Sequence, residues 1–418
     1  MLSELSPETK ANRMLIMITQ TLGQILALGG LTLIGLLINR LLRIELTLSC
    51  LIIGFLFGLS ITYIDFDTGI RAHNLRDIVF YLILPVLIFE AAWQIQPKVL
   101  TRWLLPILLL ATFGVLLSMG ISASLVYFGI NHPDGFPLIA ALLVGAILAA
   151  SDPIAVIGQL KQLNAPHDLT TLFEGESLFN DATAIVLFTI VLGIATQMPL
   201  GGRSYIGFFS LVFFGGLGFG LLLGLITTGL IIIIGMASAS RFILVFSAFT
   251  SFYIAEYYLH VSGIMSVMMA AIVTRFSLQK FENTTIHGVS ETWEWLGLFL
   301  NTILFVIMGL VITVDMFYEQ WLAMIIAIIA TLVARFLSVK ASSLLSRLLG
   351  KPIPDKWQLL LVWGGLRGAV AIALVLSLPT SLPYWWVVQS MVFGVVIFSL
   401  LIQGTSNKWL MKSLLKEK

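Results

Sequence analysis

"GAILAASDPIAVIG", residues 145–158, decides how this chain is read. Apolar residues run up to Ser151, an aspartate and a proline follow, and apolar residues resume at Ile154. Pro153 has no backbone N–H, and its ring clashes with the carbonyl of Ala149, so a helix through this stretch breaks there. A second stretch, "WGGLRGAVAIAL" at residues 363–374, sets Arg367 among Gly364, Gly365 and Gly368. Both lie inside segments of the length that crosses a bilayer, about 20 residues. A helix breaks at that depth only where the freed backbone groups line a cavity inside protein.

The composition agrees with that setting. Of 418 residues 59% are hydrophobic and 11% charged, against about 25% charged in a soluble domain. The mean hydropathy is +1.02. The chain therefore reads as an all-α polytopic membrane protein. Thirteen candidate spans are expected at 15–39, 46–64, 77–95, 104–130, 137–160, 172–197, 205–235, 240–259, 262–276, 293–314, 320–346, 357–378 and 385–407. Loops are short, so residues 1–418 read as one transmembrane domain, with no soluble regulatory domain expected. The single cysteine, Cys50, excludes an internal disulfide and a cysteine metal cluster. The polar N-terminus does not read as a cleaved signal, and no nucleic-acid partner is expected.

Lysines and arginines favour cytoplasmic loops. Fifteen fall on one side, among them Arg40, Arg43, Lys98, Lys161, Lys416 and Lys418; five, Lys10, Arg13, Arg71, Arg76 and Arg203, fall on the other. This places the N-terminus outside and the C-terminus in the cytoplasm. Tryptophans cluster near span ends and suit an aromatic belt, although core packing explains any one of them.

The broken spans, the fifth and the twelfth, are seven apart, so they run in opposite directions. Paired interruptions point to inverted repeats with a binding site near the midplane. The natural division is spans 1–6 and 8–13, with span 7 as linker. The glycines of span 7, "FFGGLGFGLLLG", lack the Lys-Ser/Thr of a phosphate loop and read as a close helix-packing face.

Ionisable residues inside a membrane are costly, about 2.5–3.5 kcal/mol at a helix centre. This chain has Glu90, Asp152, Glu176, Asp181, Glu256, Arg335 and Arg367. They read as an ion or proton pathway. In "FEGESLFNDATAIVLF", residues 173–188, Glu176 shares a face with Asn180, and Ser177 with Asp181. Ser177 and Asp181 offer a hydroxyl and a carboxylate one turn apart, and Asp152 a second carboxylate. An unwound break adds carbonyls such as that of Ser151. Such oxygens suit a hard cation. Glu176 reads as ligand or scaffold, and two buried arginines favour scaffold. Glu174 reads as a first-turn acid, Glu90 as a cavity wall or outer contributor, and Glu256 as interfacial. His167 is the one histidine considered as a pH sensor.

Together, "FEGESLFNDATAIV", "ASDPIAV", "GGLRGAVAIAL" and "ARFLSVK" resemble the signature segments of monovalent cation/proton antiporters of the NhaP and NHE type. The resemblance extends from "LPVLIFEAAW" to the last span. It implies an inverted-repeat antiporter fold of the NhaA/NapA kind, assembled as a homodimer, with a core domain moving against a dimerisation domain. It implies transport rather than enzyme chemistry, with no cofactor and with Na+, Li+ or K+ and H+ as substrates. Asp181 would carry both ion and proton. Asp152, the Ser151 carbonyl and Ser177 would complete the cation site, Asn180 would hold it together, and Glu90 would contribute through water. Glu176 would pair with Arg335, and Arg367, at the second break, would offset exposed carbonyls and the Asp152 charge. Without a long tail after Lys418, the chain is expected to be of prokaryotic type, in a cell membrane and serving pH homeostasis. Two rival readings are an intramembrane aspartyl protease built on Asp152 and Asp181, and a passive cation channel. The protease reading lacks a Gly-x-Gly-Asp sequence and leaves the paired breaks unexplained.

Overall fold

Long apolar runs in lipid can satisfy their backbone hydrogen bonds internally only as helix. The computed structural model describes residues 7–64, 75, 77–95, 97–130, 135–197, 205–280 and 288–415, and among these every one of the thirteen expected segments is helical and no strand occurs. Of the basic residues that oriented the chain, Arg71, Arg76, Arg203, Lys416 and Lys418 lie outside the described residues, as do the side chains of Lys10, Arg13 and Lys98.

The first helices are α1 (Pro7–Leu42), α2 (Leu46–Ile64), α3 (Leu84–Gln94), α4 (Pro97–Leu109) and α5 (Val115–Gly129). The first broken span is α6 (Leu138–Ile147) and α7 (Ile154–Gln162). The unbroken α8 (His167–Ala195) carries the acidic motif, and α9 (Tyr205–Ile234), α10 (Ala237–Tyr253), α11 (Gly263–Lys280), α12 (Val289–Val311) and α13 (Val314–Leu348) follow. The second broken span is α14 (Asp355–Trp363) and α15 (Ala369–Leu376), before α16 (Trp385–Phe398) and α17 (Thr405–Leu415). Among the described residues eight helices are long and apolar enough to cross a membrane unaided. The halves of the broken spans are too short to be among them.

The helices sort into two bundles. One joins α1, α2, α3, α9, α10, α11 and α12; the other joins α4 to α8 with α13 to α17. Between the bundles the packing is lighter, chiefly α8 on α9 and α3, and α12 on α15. The α9–α11 seam shows what the glycines of span 7 do. Gly216, Gly220 and Gly224, four apart, face the carbonyls of Ser262, Ser266 and Ala270, and any Cβ there would collide with that backbone. Close packing, as read from the sequence, is the role of this face. Trp293 is a core residue rather than a belt residue, 1% exposed and stacked on Phe89 at 4.2 Å. Glu256 accepts the Gly263 backbone N–H at 2.9 Å and so caps the start of α11.

Candidate functional site

The two breaks meet. The backbone N–H of Asp152 donates to the carbonyl of Leu366 at 2.8 Å, tying one interrupted span to the other. Broken helices leave partial charges at each inner end. Asp152 takes the positive ends: its Oδ1 accepts from Ile154 N at 3.0 Å, the start of α7, and its Oδ2 from Ala369 N at 3.2 Å, the start of α15. Arg367 takes a negative end: its Nη1 donates to the carbonyls of Ala149 and Ala150, at 3.1 and 2.6 Å, just past α6. Gly368 permits this closeness, because a Cβ there would strike the Asp152 carboxylate.

Beside the crossing runs α8. Glu176 is 1% exposed and holds Arg335 of α13 through two bonds, Nη1 to Oε1 at 2.8 Å and Nη2 to Oε2 at 3.1 Å. Arg335 also donates to the Leu361 carbonyl through Nε at 3.2 Å and Nη2 at 3.1 Å. Asn180 spans the gap, its Nδ2 donating to Glu176 Oε1 at 3.0 Å and to Ser151 Oγ at 3.1 Å. Ser177 Oγ donates to the Ser151 carbonyl. Asp181, one turn on, has a buried Oδ1 with no hydrogen-bond partner.

A cavity of about 350 Å³ reaches this point, and Asp152, Ser177, Asp181 and Glu90 all line it. Ser151, Asn180 and Glu176 do not; they brace the wall behind. Gln94 donates to Glu90 Oε1. Glu174 lines the cavity as well, which corrects its reading as a first-turn acid: α8 begins at His167, so Asp168 holds the first turn and Glu174 lies two turns in. A second cavity, about 530 Å³, shares Gln94, Lys161, Glu174 and Glu294 with the first and extends to His167 and Arg275. The two form one vestibule toward the α7–α8 connection.

Two further residues join the site. Asn301 of α12 lines the cavity but is neutral, so no membrane cost drew attention to it. Glu45, in the α1–α2 connection, shares a void of about 20 Å³ with Asp152, Arg367 and Gly368, room for one water. Burial, then the Asp152 charge, push the Glu45 carboxyl up to about 7.

Helices broken face to face beside a cavity-lining carboxylate with one unpartnered oxygen define a class: a polytopic helical transporter with its site at a crossing of half-helices. The sequence comparison is more particular. Residues 28–413 match the family model described as the transmembrane sodium/hydrogen exchanger, and the chain belongs to that family. It is 36% identical over 368 residues to the Na(+)/H(+) antiporter ApNhaP of Aphanothece halophytica, covering 85% of this chain and 68% of that one. To the Na(+)/H(+) antiporter NhaP of Pseudomonas aeruginosa it is 32% identical, covering 84% of each. The fold is similar to that of the sodium proton antiporter MjNhaP1 of Methanocaldococcus jannaschii, with a TM-score of 0.81 at 21% identity, over 95% of this chain and all of that one. The protein is a transporter of cations and protons, not an enzyme.

Proposed function

We propose that this chain exchanges Na+, or Li+, for H+ one for one by alternating access, with cation and proton competing for Asp181. The observation that carries this reading is a contrast among three acids at the crossing. Glu176 is neutralised by Arg335, and both oxygens of Asp152 are taken by helix N-termini. Asp181 keeps an oxygen without a partner, beside a cavity. An ionised carboxylate with one oxygen enclosed and unpaired is costly. A proton removes that cost, and so does a cation, but the two do not bind well together. Exchange follows if the empty, charged site does not cross between facing states.

In this reading Asp152 and Ser177 give the cation further oxygens, and the Ser151 carbonyl joins them when the Ser177 hydroxyl turns to the ion. Asn180 keeps the brace in register, and Glu90 acts through water. Arg335 and Arg367 stay charged and set the frame. Spans 1–6 and 8–13 act as inverted halves joined by α9, and the two bundles slide on their lighter contacts. The vestibule faces the side rich in Lys and Arg, so the site opens to the cytoplasm of a cell membrane, where such exchange serves pH and sodium homeostasis. A homodimer would pack through the bundle holding α1 and α9, the two long helices that bury least within the chain. A monomer in native mass spectrometry from mild detergent would end that part of the reading.

The relatives' names support Na+ as the cation. The test is transport in proteoliposomes with Na+, Li+ and K+ in turn. Na+ and Li+ gradients are expected to drive opposed proton flux. K+-driven exchange alone would overturn the cation assignment, and uncoupled cation flux would make the protein a channel. One-for-one exchange moves no net charge, so a membrane potential, worth about 2.3 kcal/mol per charge per 100 mV, has no hold on it. A potential set with potassium and valinomycin should leave the reversal point where it was. A systematic shift would mean a second proton, with Asp152 the first residue to test.

A further inference from the structure

The cavity has a second wall. Glu294, Gly297, Leu298 and Asn301 of α12 all line it, and their spacing of three, four and seven places them on one helix face. Gly297 lets that face approach Glu90, whose Cγ lies 2.9 Å from where a Cβ would stand. Asn301 is 4% exposed, and its Oδ1 is enclosed with no hydrogen-bond partner. A leucine would fill similar space without stranding a polar atom, so packing alone does not account for an amide here. The wall is fixed by α2: Gly54 lies on the Val306 carbonyl, and Gly309 on the Leu51 carbonyl, with no room for a side chain at either. Asn301 therefore belongs to the α2–α12 bundle, while Asp152, Ser177 and Asp181 belong to the other.

We propose that Asn301 is a further cation ligand and a determinant of cation choice, supplying a neutral oxygen from the bundle opposite Asp181. This rests on the reading of Asp181 as the carrier. A carboxamide adds an oxygen without adding charge, and alkali cations are discriminated by the number and field strength of such oxygens. Because the bundles move past one another, the ion meets Asn301 in this facing state and loses it in the other. Cation affinity is then higher on the vestibule side than on the opposite side.

The test compares Asn301→Ala, Asn301→Leu and Asn301→Asp with the parent in oriented proteoliposomes, alongside Asp181→Asn. Loss of one oxygen to a cation should raise the apparent KM for Na+ at the vestibule face by about tenfold in the Ala and Leu variants. Their maximal rate should be largely kept. The contrast among Li+, Na+ and K+ should narrow. A weaker cation yields to protons sooner, so the pH profile should move to more alkaline values. Asn301→Asp, which keeps an oxygen and adds a negative charge, should not lose affinity as the Ala and Leu variants do. Asn301→Leu removes the stranded polar atom and should melt at or above the parent temperature, so the assay does not depend on an unstable variant. Unchanged KM, selectivity and pH profile in a folded Leu variant would overturn the assignment while leaving Asp181 in place. Continued exchange by Asp181→Asn would instead overturn the reading on which it rests.

Discussion

Replacing Glu176 with glutamine breaks a buried, bidentate ion pair between α8 and α13. The parent pair is bidentate, at 2.8 and 3.1 Å, with the glutamate 1% and the arginine 6% exposed. Glutamine keeps the shape and removes the charge. The Arg335 guanidinium then stays buried with only the Leu361 carbonyl and an amide oxygen to meet. Removing one partner of a buried pair costs about 3–5 kcal/mol. The surface pair Arg102–Asp168 is an internal control: it spans 3.1 Å, but its side chains are 67% and 28% exposed, and such a pair contributes about 0–1 kcal/mol. In one detergent, Glu176→Gln and Arg335→Ala should melt well below the parent, and Asp168→Asn close to it. A charge swap should recover only part of the loss. It turns a carboxylate toward the Leu361 carbonyl and an arginine toward the Asn180 amide nitrogen, so acceptor faces acceptor and donor faces donor. Melting of Glu176→Gln within error of Asp168→Asn would refute the reasoning.

Three further outcomes follow from the same geometry. Gly368→Ala should push the Asp152 carboxylate off the start of α15, lowering stability by about 1–3 kcal/mol and cutting transport; parent-like stability and transport would contradict the capping role. Gly220→Ala drives a methyl into the Ser266 carbonyl and should lower the melting temperature, whereas Gly218→Ala, which meets open space, should leave it unchanged; equal melting of the two would contradict the seam. Glu45, held near 7 when folded, binds its proton more tightly folded than unfolded, so its contribution to stability is present below about 4.5 and is lost as pH rises to 7. Glu45→Gln should remove up to about 3 kcal/mol of that loss, and a parent-like fall in melting temperature between pH 5 and 8 in the variant would show that other groups cause it.

The spans were legible because a bilayer leaves an apolar run little choice but helix, and the breaks because Pro153 and the glycines around Arg367 each have a local physical consequence. Opposite charges in lipid each require a partner, which marked Glu176 as scaffold for one of two buried arginines, and the family resemblance pointed to Arg335. Other features depended on contacts between distant parts of the chain. Asp152 caps α15 through an N–H 217 residues away, so its cap to a second half-helix had no local signature. The Ser151 carbonyl was read as a free ligand, but it accepts the Ser177 hydroxyl from 26 residues on. Glu174 is not a first-turn acid because α8 starts at His167, five residues before the start near 172 that hydropathy alone suggests. Asn301 had a faint signal, the shared face of Glu294, Gly297 and Asn301, but a neutral amide raises no alarm in an apolar helix. Glu45 looked like any loop acid until packing set it against Asp152.

In the proposed exchange one carboxylate, Asp181, holds the proton and the cation in turn. The most direct measurement is proton flux driven by a Na+ gradient in proteoliposomes holding Asp181→Asn, with the parent and Glu90→Gln beside it and folding checked by melting. Asparagine keeps the shape and removes the titrating group. A folded Asp181→Asn protein should show no exchange, and Glu90→Gln should continue to exchange. Exchange by Asp181→Asn that still depends on pH would contradict this role and would move the carrier elsewhere along the cavity, with Glu90 examined next.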